Sequence, residues 1–202
     1  AGPMTGGIAA STVIACLFFG AISGSGPATT AAVGMLMIPA MIRRNYDRGY
    51  ASAVTASSGG LGVVIPPSIP MVIYGVTASE SITKLCIAGV FPGLLIAFGI
   101  LFVNYFLCRR KGYKSDAEDW SIKTIFVKVK EGFWALMAPV VILGGIYTGF
   151  FTPTEAAIVS IFYTLFVGIF IYRELKLSSI FKSMDSTTWL SGRVLIILFT
   201  AQ

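Results

Sequence analysis

The chain has 202 residues, of which 55% are hydrophobic and only 12% are charged, and its mean hydropathy is +0.83. These values exclude an ordinary water-soluble domain and indicate an integral membrane protein. The formal net charge is +6. Because the basic residues cluster between long apolar segments, this charge is typical of the inner loops of a membrane protein and does not predict nucleic-acid binding.

An uncharged segment opens the chain and covers residues 1–42, with the break GAISGSGPATT near its middle. A helix needs about 20 residues to cross the hydrocarbon core, so this segment is too long for one crossing and too short for two. The sequence therefore predicts a re-entrant hairpin with arms over 5–20 and 31–42 and a turn over 22–30. Two short, tilted crossings are the alternative.

Residues 49–77 form the next predicted membrane helix, and the run GGLGVVIPPSIP interrupts it. Proline has no N–H, so it leaves the carbonyl four positions earlier without its helical donor. Pro66 thus frees the carbonyl of Gly62. Pro27 does the same to the carbonyl of Ser23 in the hairpin. A buried free carbonyl is costly without a partner, so both breaks are expected to bind something.

Three clusters of basic residues mark predicted inner loops and set the path of the remaining chain. The charged, amphipathic residues 109–131 are expected to include an interfacial helix on the inner membrane surface. The predicted organisation is a hairpin over 1–48, a broken helix over 49–77, a returning helix over 86–108, the loop and interfacial helix over 109–131, two crossings over 133–151 and 155–172, and a loop with the start of a further helix over 173–202.

The linker FFTPTE contains a helix-start signal. Thr152 suits the N-cap, Pro153 the first helical position and Glu155 the third, where its carboxylate can reach back to the cap. Glu155 is therefore predicted to be a helix cap rather than a proton carrier.

Two interrupted helices in one chain are the usual architecture of ion and substrate sites in secondary transporters. A proton-coupled site would place a titratable group near these breaks. No Asp, Glu or His lies in residues 1–42 or 51–79. The expected ion is therefore Na⁺, bound by carbonyl and hydroxyl oxygens.

The segments GAISGSGPATTAAVG, ASSGGLGVVIPPSIPMVIYG and GGIYTGFFTPTEAA resemble, in this order, the large membrane subunit (M-type, DctM-like) of tripartite ATP-independent periplasmic (TRAP) transporters, members of the ion transporter superfamily. This resemblance covers essentially the whole chain. It implies an all-α polytopic membrane protein with a re-entrant helical hairpin, a discontinuous transmembrane helix, inverted repeats and an elevator-type movement. The helix over 86–108 would close the first repeat, and 133–151 and 155–172 would be scaffold-type helices of the second. The chain is then expected to be a fragment, with further helices before it and a second hairpin after it.

The resemblance also implies a function. Such proteins are not enzymes, and they use a sodium gradient to import organic acids such as C4-dicarboxylates or sialic acid across the bacterial inner membrane. A periplasmic substrate-binding protein (P-type) delivers the carboxylate substrate. A small membrane subunit (Q-type) accompanies the large one in the lipid bilayer.

The proline argument and the family architecture together give the expected site residues. The sodium ligands, mostly backbone carbonyls, are expected from Ser23, Ser25, Pro27, Ser58, Gly62, Ile65 and Pro67. The substrate is expected to contact Thr29, Thr30, Ser57, Gly59 and Gly60.

Two other functions remain open at this point. A channel could use a re-entrant, carbonyl-rich segment as its filter, although such filters usually need symmetric copies around one pore. An intramembrane serine enzyme would need a base, and the chain contains no histidine.

Overall fold

The computed structural model describes residues 5–113, 122–173 and 175–201. Within these ranges the regular secondary structure is entirely helical, which confirms the prediction of an all-α protein. The chain forms two compact units, Ala1–Ile158 and Val159–Gln202. The first unit contains both predicted breaks.

The hairpin consists of α1 (Gly7–Ser23) and α2 (Gly26–Arg43). The turn between them is much shorter than the predicted 22–30. Gly24 adopts a left-handed conformation (φ 61°) that ends α1, and the Ser25 side chain caps α2 by accepting a hydrogen bond from the N–H of Ala28 (3.5 Å). The predicted turn was too long because a serine cap and a proline in the first helical turn begin a helix rather than prolong a loop.

The second interrupted helix is divided into three parts, as its glycines and prolines predict. These parts are α3 (Arg48–Gly59), the single turn α4 (Leu61–Val64) and α5 (Ile69–Thr77). Ile65 is extended (φ −79°, ψ 125°), and Ser68 caps α5 by accepting from the N–H of Met71 (3.3 Å). In the first unit α1 packs against α2, α3, α4 and α6, so the hairpin and the broken helix share one core.

The remaining helices are α6 (Ile82–Lys111), α7 (Ile122–Tyr147), α8 (Pro153–Phe166) with a π-helical turn over Val167–Ile171, and α9 (Leu177–Ala201). Helices α6 and α7 are longer than the predicted spans over 86–108 and 133–151. Helix α7 is continuous across residues 131–133, where the sequence predicted an interfacial helix to end and a membrane helix to begin. Residues 114–121 of that predicted interfacial segment lie outside the described residues.

Three segments of the described chain are long and apolar enough to cross a membrane: Arg48–Thr77, Ile82–Lys111 and Pro153–Ile171. The first hairpin arm, Gly7–Ser23, is a shorter apolar helix. A multi-pass membrane protein is the architecture that these lengths support.

The predicted capping box at the start of α8 is present. The Thr152 N–H donates to Oε2 of Glu155 (2.8 Å), and the Glu155 N–H donates to the Thr152 hydroxyl (3.3 Å). Each residue thus satisfies a backbone donor of the other, which is the reciprocal pattern of this motif. Glu155 acts as a helix cap, as predicted.

A buried polar pair ties the broken helix to α6. Asn104, the strongly polar residue in the middle of an apolar stretch, is 3% exposed. It accepts a hydrogen bond from the Tyr50 hydroxyl, which also lies 3.1 Å from Sγ of Cys108. Because Tyr50 lies in α3, this contact fixes the first part of the broken helix against α6.

We expect Asn104→Leu to destabilise the full-length protein by about 1–3 kcal/mol, because the Tyr50 hydroxyl loses its strong acceptor. Thermal unfolding in detergent measures the loss. The control is Phe106→Leu, a change at an exposed position of the same helix. Adding Tyr50→Phe to Asn104→Leu should recover part of the stability, since no orphan hydroxyl remains. Equal losses in Asn104→Leu and Phe106→Leu would contradict this account.

Candidate functional site

The tip of the hairpin, residues 23–26, lies directly against the break between α4 and α5. The Gly24 carbonyl accepts a hydrogen bond from the Ile69 N–H (3.1 Å). A Cβ atom placed on Gly24 would be 2.7 Å from the Pro67 carbonyl oxygen. The structure therefore brings together the two breaks that the sequence singles out.

Gly62 lies where the broken helix meets both arms of the hairpin. A Cβ atom on Gly62 would be 2.5 Å from Oγ1 of Thr29 and 3.0 Å from the Ser25 carbonyl oxygen, both in or next to α2. A Cβ atom on Gly20 of α1 would be 2.7 Å from the Gly62 Cα. A side chain at Gly62 would therefore force Thr29 or the neighbouring backbone to move.

The carbonyl of Gly62 lacks its helical donor, because residue 66 is a proline. Ile65, which could have offered the next nearest N–H, donates to Leu61 instead (2.8 Å). The chain then turns extended at Ile65. The Gly62 carbonyl therefore has no helical donor, at a residue that packs closely against the hairpin.

The hydroxyl groups at the hairpin tip bond to one another. Oγ of Ser23 lies 2.9 Å from Oγ1 of Thr29, and Thr29 donates to the Ser25 carbonyl (2.8 Å). The Ser25 N–H also points to Oγ of Ser23 (3.3 Å). Thr29 is fully buried, so in this conformation its hydroxyl holds the tip in shape.

Ser58 differs from the other buried hydroxyl residues. It is 0% exposed, and its Oγ has no hydrogen-bond partner among the described residues. By contrast, the buried Thr55 donates to the carbonyl of Ala51 within α3 (2.8 Å). An unsatisfied buried hydroxyl costs free energy and calls for an explanation, such as an absent ligand.

The residues expected to contact substrate occupy two environments. Thr30 donates to the Gly26 carbonyl (2.9 Å), and Gly59 packs so closely on Thr30 that a Cβ atom would overlap its side chain. Ser57 and Gly60 are exposed, and the Ser57 hydroxyl donates to the carbonyl of Val54 (3.1 Å). Thr30 and Gly59 thus join the hairpin to α3, whereas Ser57 and Gly60 face outward.

Pro27 is separate from the other expected ligands. It is exposed in the first turn of α2, where its carbonyl belongs to the hydrogen-bond ladder of that helix. Ile65 is buried, and Pro67 is half-buried with its carbonyl against Gly24.

Sequence reasoning missed three residues of this site: Gly20, Gly24 and Ser68. Gly20 and Gly24 make the close approach possible, and Ser68, buried at 1% exposure, begins α5. A serine followed within two positions by proline is a helix-start signal, so Ser68 could have been found. The pairing of Gly20 with Gly62 had no local signal, because it depends on the tertiary packing.

Four helix ends meet at this junction. The carboxyl ends of α1 and α4 bring partial negative charge, and the amino ends of α2 and α5 bring partial positive charge. Among the described residues, no group of three His, Cys, Asp or Glu side chains could hold a metal ion. A cation at the junction would therefore be bound by neutral oxygens.

Comparison with known proteins decides the family. The family of the tripartite ATP-independent periplasmic transporter, DctM component, matches residues 1–202. The chain belongs to this family. DctM proteins are transporter permeases, which confirms the prediction of a non-enzyme and removes the serine-enzyme alternative.

Three curated DctM relatives show how far the similarity extends. The isethionate TRAP transporter permease protein DctMQ of Oleidesulfovibrio alaskensis is 44% identical over 200 residues, which are 99% of this chain and 32% of the relative. The C4-dicarboxylate TRAP transporter large permease protein DctM of Pseudomonas aeruginosa is 41% identical, over 98% of this chain and 45% of the relative. The sialic acid TRAP transporter permease protein SiaT of Haemophilus influenzae is 39% identical, over 98% of this chain and 32% of the relative. The chain thus spans less than half of the length of each of these relatives.

We expect Gly62→Ala to destabilise the full-length DctM protein by about 1–3 kcal/mol, because the new methyl group overlaps Oγ1 of Thr29. Thermal unfolding in detergent reports the change. Gly99→Ala is the matched control, since a Cβ atom there meets nothing within 4 Å. Combining Gly62→Ala with Thr29→Ala should restore part of the loss. If Gly62→Ala is as stable as Gly99→Ala, the close packing described here is wrong.

Proposed function

We propose that this chain supplies the first half of the ion and substrate site of a sodium-coupled TRAP transporter. The observation that carries the proposal is the buried Ser58 hydroxyl without a partner, one helical turn before the free Gly62 carbonyl. Gly62 packs against Ser25 and Thr29 of the hairpin, and Gly59, the residue after Ser58, packs against Thr30. An oxygen cluster with unmet bonding capacity in an apolar segment is suited to a dehydrated cation.

The available donor set fits sodium. The candidate ligands are carbonyl and hydroxyl oxygens from Ser23, Ser58, Gly62, Ile65 and Pro67, all without formal charge. Bound at the junction, Na⁺ would supply the positive charge that these oxygens lack. The chain's own contribution is to hold the hairpin tip and the break within one small volume, through the Gly24–Ile69 hydrogen bond and the packing of Gly62.

The same junction suits an organic acid as the substrate. The amino ends of α2 and α5 lie close together, because the Gly24 carbonyl binds the Ile69 N–H. Their N–H groups and dipoles favour a carboxylate. Relatives are named for isethionate, C4-dicarboxylate, sialic acid and ectoine, so the proposed substrate class is an organic acid of this size range.

The proposed mechanism is an elevator movement in the bacterial inner membrane. Because α1 packs on α2, α3, α4 and α6, these helices would move as one body and carry the junction with them. The proposed partners are those of TRAP systems, a small membrane subunit and a periplasmic substrate-binding protein. A channel is the second candidate, since a re-entrant hairpin also occurs in filters.

We expect uptake by the full-length protein, reconstituted with its small subunit and binding protein, to require an inward sodium gradient. Radiolabelled organic-acid uptake into proteoliposomes measures this directly. Replacing Na⁺ by K⁺ on both sides should reduce uptake to the level of empty vesicles. Sodium-independent uptake would contradict the coupling, and non-saturating downhill flux would favour a channel.

We expect Ser58→Ala to raise the sodium concentration for half-maximal uptake by about 5- to 50-fold, the loss of one charge-assisted ligand of about 1–2.5 kcal/mol. Ser11→Ala is the matched control, because the Ser11 hydroxyl donates to the Gly7 carbonyl of its own helix (2.9 Å). The sodium titration is repeated at saturating substrate for each variant. Unchanged sodium dependence in Ser58→Ala would exclude Ser58 as a ligand.

A further inference from the structure

A second site is indicated at the end of the first unit where α2 ends, α3 begins and α6 ends. Exposed basic side chains lie in both segments that meet there, residues 43–48 between α2 and α3 and residues 109–111 at the end of α6. They are Arg43, Arg44, Arg48, Arg109, Arg110 and Lys111. These residues carry none of the ion and substrate chemistry proposed above, and they belong to two clusters far apart in the sequence.

Tyr113 joins the two clusters. Its ring stacks on that of Tyr46, with centroids 4.1 Å apart and planes 18° from parallel. Its hydroxyl accepts a hydrogen bond from the Asp47 N–H (3.0 Å), across 66 positions of sequence. Gly112 adopts a left-handed conformation (φ 69°) that ends α6 and lets Tyr113 turn back toward the Asp47 loop.

Basic residues outnumber acidic ones among the described residues of this surface. Asp47 and Glu80 are the sole acidic residues in positions 1–113. The Asp47 carboxylate caps α3 by accepting from the Tyr50 N–H (2.9 Å). Burial, aided by the neighbouring Cys108 and opposed by Arg44, raises the pKa of Tyr46 to about 12, so this tyrosine stays neutral at physiological pH.

The aromatic stack also places one cation. Nζ of Lys111 lies 5.5 Å from the centroid of the Tyr50 ring, within the range of a cation–π contact. Tyr50 in turn lies 5.6 Å from Tyr113, centroid to centroid. Lys111 therefore lies against the aromatic cluster, and Tyr113 joins the segment that carries Arg109, Arg110 and Lys111 to the one that carries Arg43, Arg44 and Arg48.

We propose that this surface, the cations arranged around Tyr46 and Tyr113, binds the phosphate headgroup of an anionic phospholipid. Two apolar spans end here, because Arg48–Thr77 begins and Ile82–Lys111 finishes at the surface. Cations at such span ends lie at the depth of lipid headgroups. Arginine side chains match the geometry of a phosphate through paired N–H donors.

The competing explanation is that these cations only mark the inner side of the membrane, with no built site. The two explanations differ in what Tyr113 does. A diffuse positive charge does not depend on the tyrosine stack, whereas a built site loses its arrangement when the stack is removed and every charge is kept.

The experiment measures phosphatidylglycerol bound to the full-length, detergent-purified protein by native mass spectrometry, with phosphatidylcholine as the neutral comparison. We expect preferential binding of phosphatidylglycerol. The variant Arg110→Gln should weaken it about fivefold, the effect expected for one basic residue near an anionic surface. Lys84→Gln, an exposed cation at the other end of α6, should leave it unchanged.

Tyr113→Ala is the decisive variant, and it should weaken phosphatidylglycerol binding at least fivefold although every cation is retained. Tyr113→Phe keeps the stacked ring, so it should bind phosphatidylglycerol within about twofold of the parent. This result would show that the fold tolerates a substitution at position 113. The proposal is overturned if Tyr113→Ala binds phosphatidylglycerol as the parent does, or if Lys84→Gln weakens binding as much as Arg110→Gln. It is also overturned if the parent binds phosphatidylcholine as well as phosphatidylglycerol. Complete displacement by inorganic phosphate alone would also overturn it, by showing a site for free phosphate instead of a lipid.

Discussion

The contact of Gly62 with both arms of the hairpin is the constraint on which the site depends. The absence of a side chain lets Gly20 approach from α1 and Ser25 and Thr29 approach from α2. This packing places the two interrupted segments face to face. Without it, the carbonyl that lacks its donor because of Pro66 would not lie next to the hairpin.

The hydrogen-bonding groups of the two breaks partly pair with each other, and the group without a partner among the described residues is informative. The Ile69 N–H, at the start of α5, donates to the Gly24 carbonyl, and the hydroxyls of Ser23 and Thr29 hydrogen-bond to each other. Buried polar groups in proteins are nearly always paired in this way. Among the buried side-chain oxygen and nitrogen atoms of the described residues, Oγ of Ser58 is the exception. For that reason Ser58 supports the proposed ion site more strongly than the hydroxyls of the hairpin tip do.

The two helix breaks and the cap of α8 could be predicted from local sequence. The tertiary contacts could not. The lack of an N–H in Pro66 interrupts the helix wherever it lies, and the box of Thr152 and Glu155 is encoded within four residues. The turn is shorter than the predicted 22–30 because the Ser25 side chain caps α2, which begins at Gly26. The Gly20–Gly62 approach and the Tyr46–Tyr113 stack join distant segments, and no periodicity in either segment specifies its partner.

The chain separates its two kinds of polar chemistry by position. Six exposed cations lie at the span ends, in the two segments that the Tyr46–Tyr113 stack joins, whereas the junction of the hairpin with the broken helix presents neutral oxygens. A charged side chain at the junction would cost far more in an apolar environment than a carbonyl or a hydroxyl does. A site built from neutral oxygens is therefore tolerable when empty and needs a charge only when it is filled. That property suits the proposed ion site, which would have to bind and release its ion in every transport cycle.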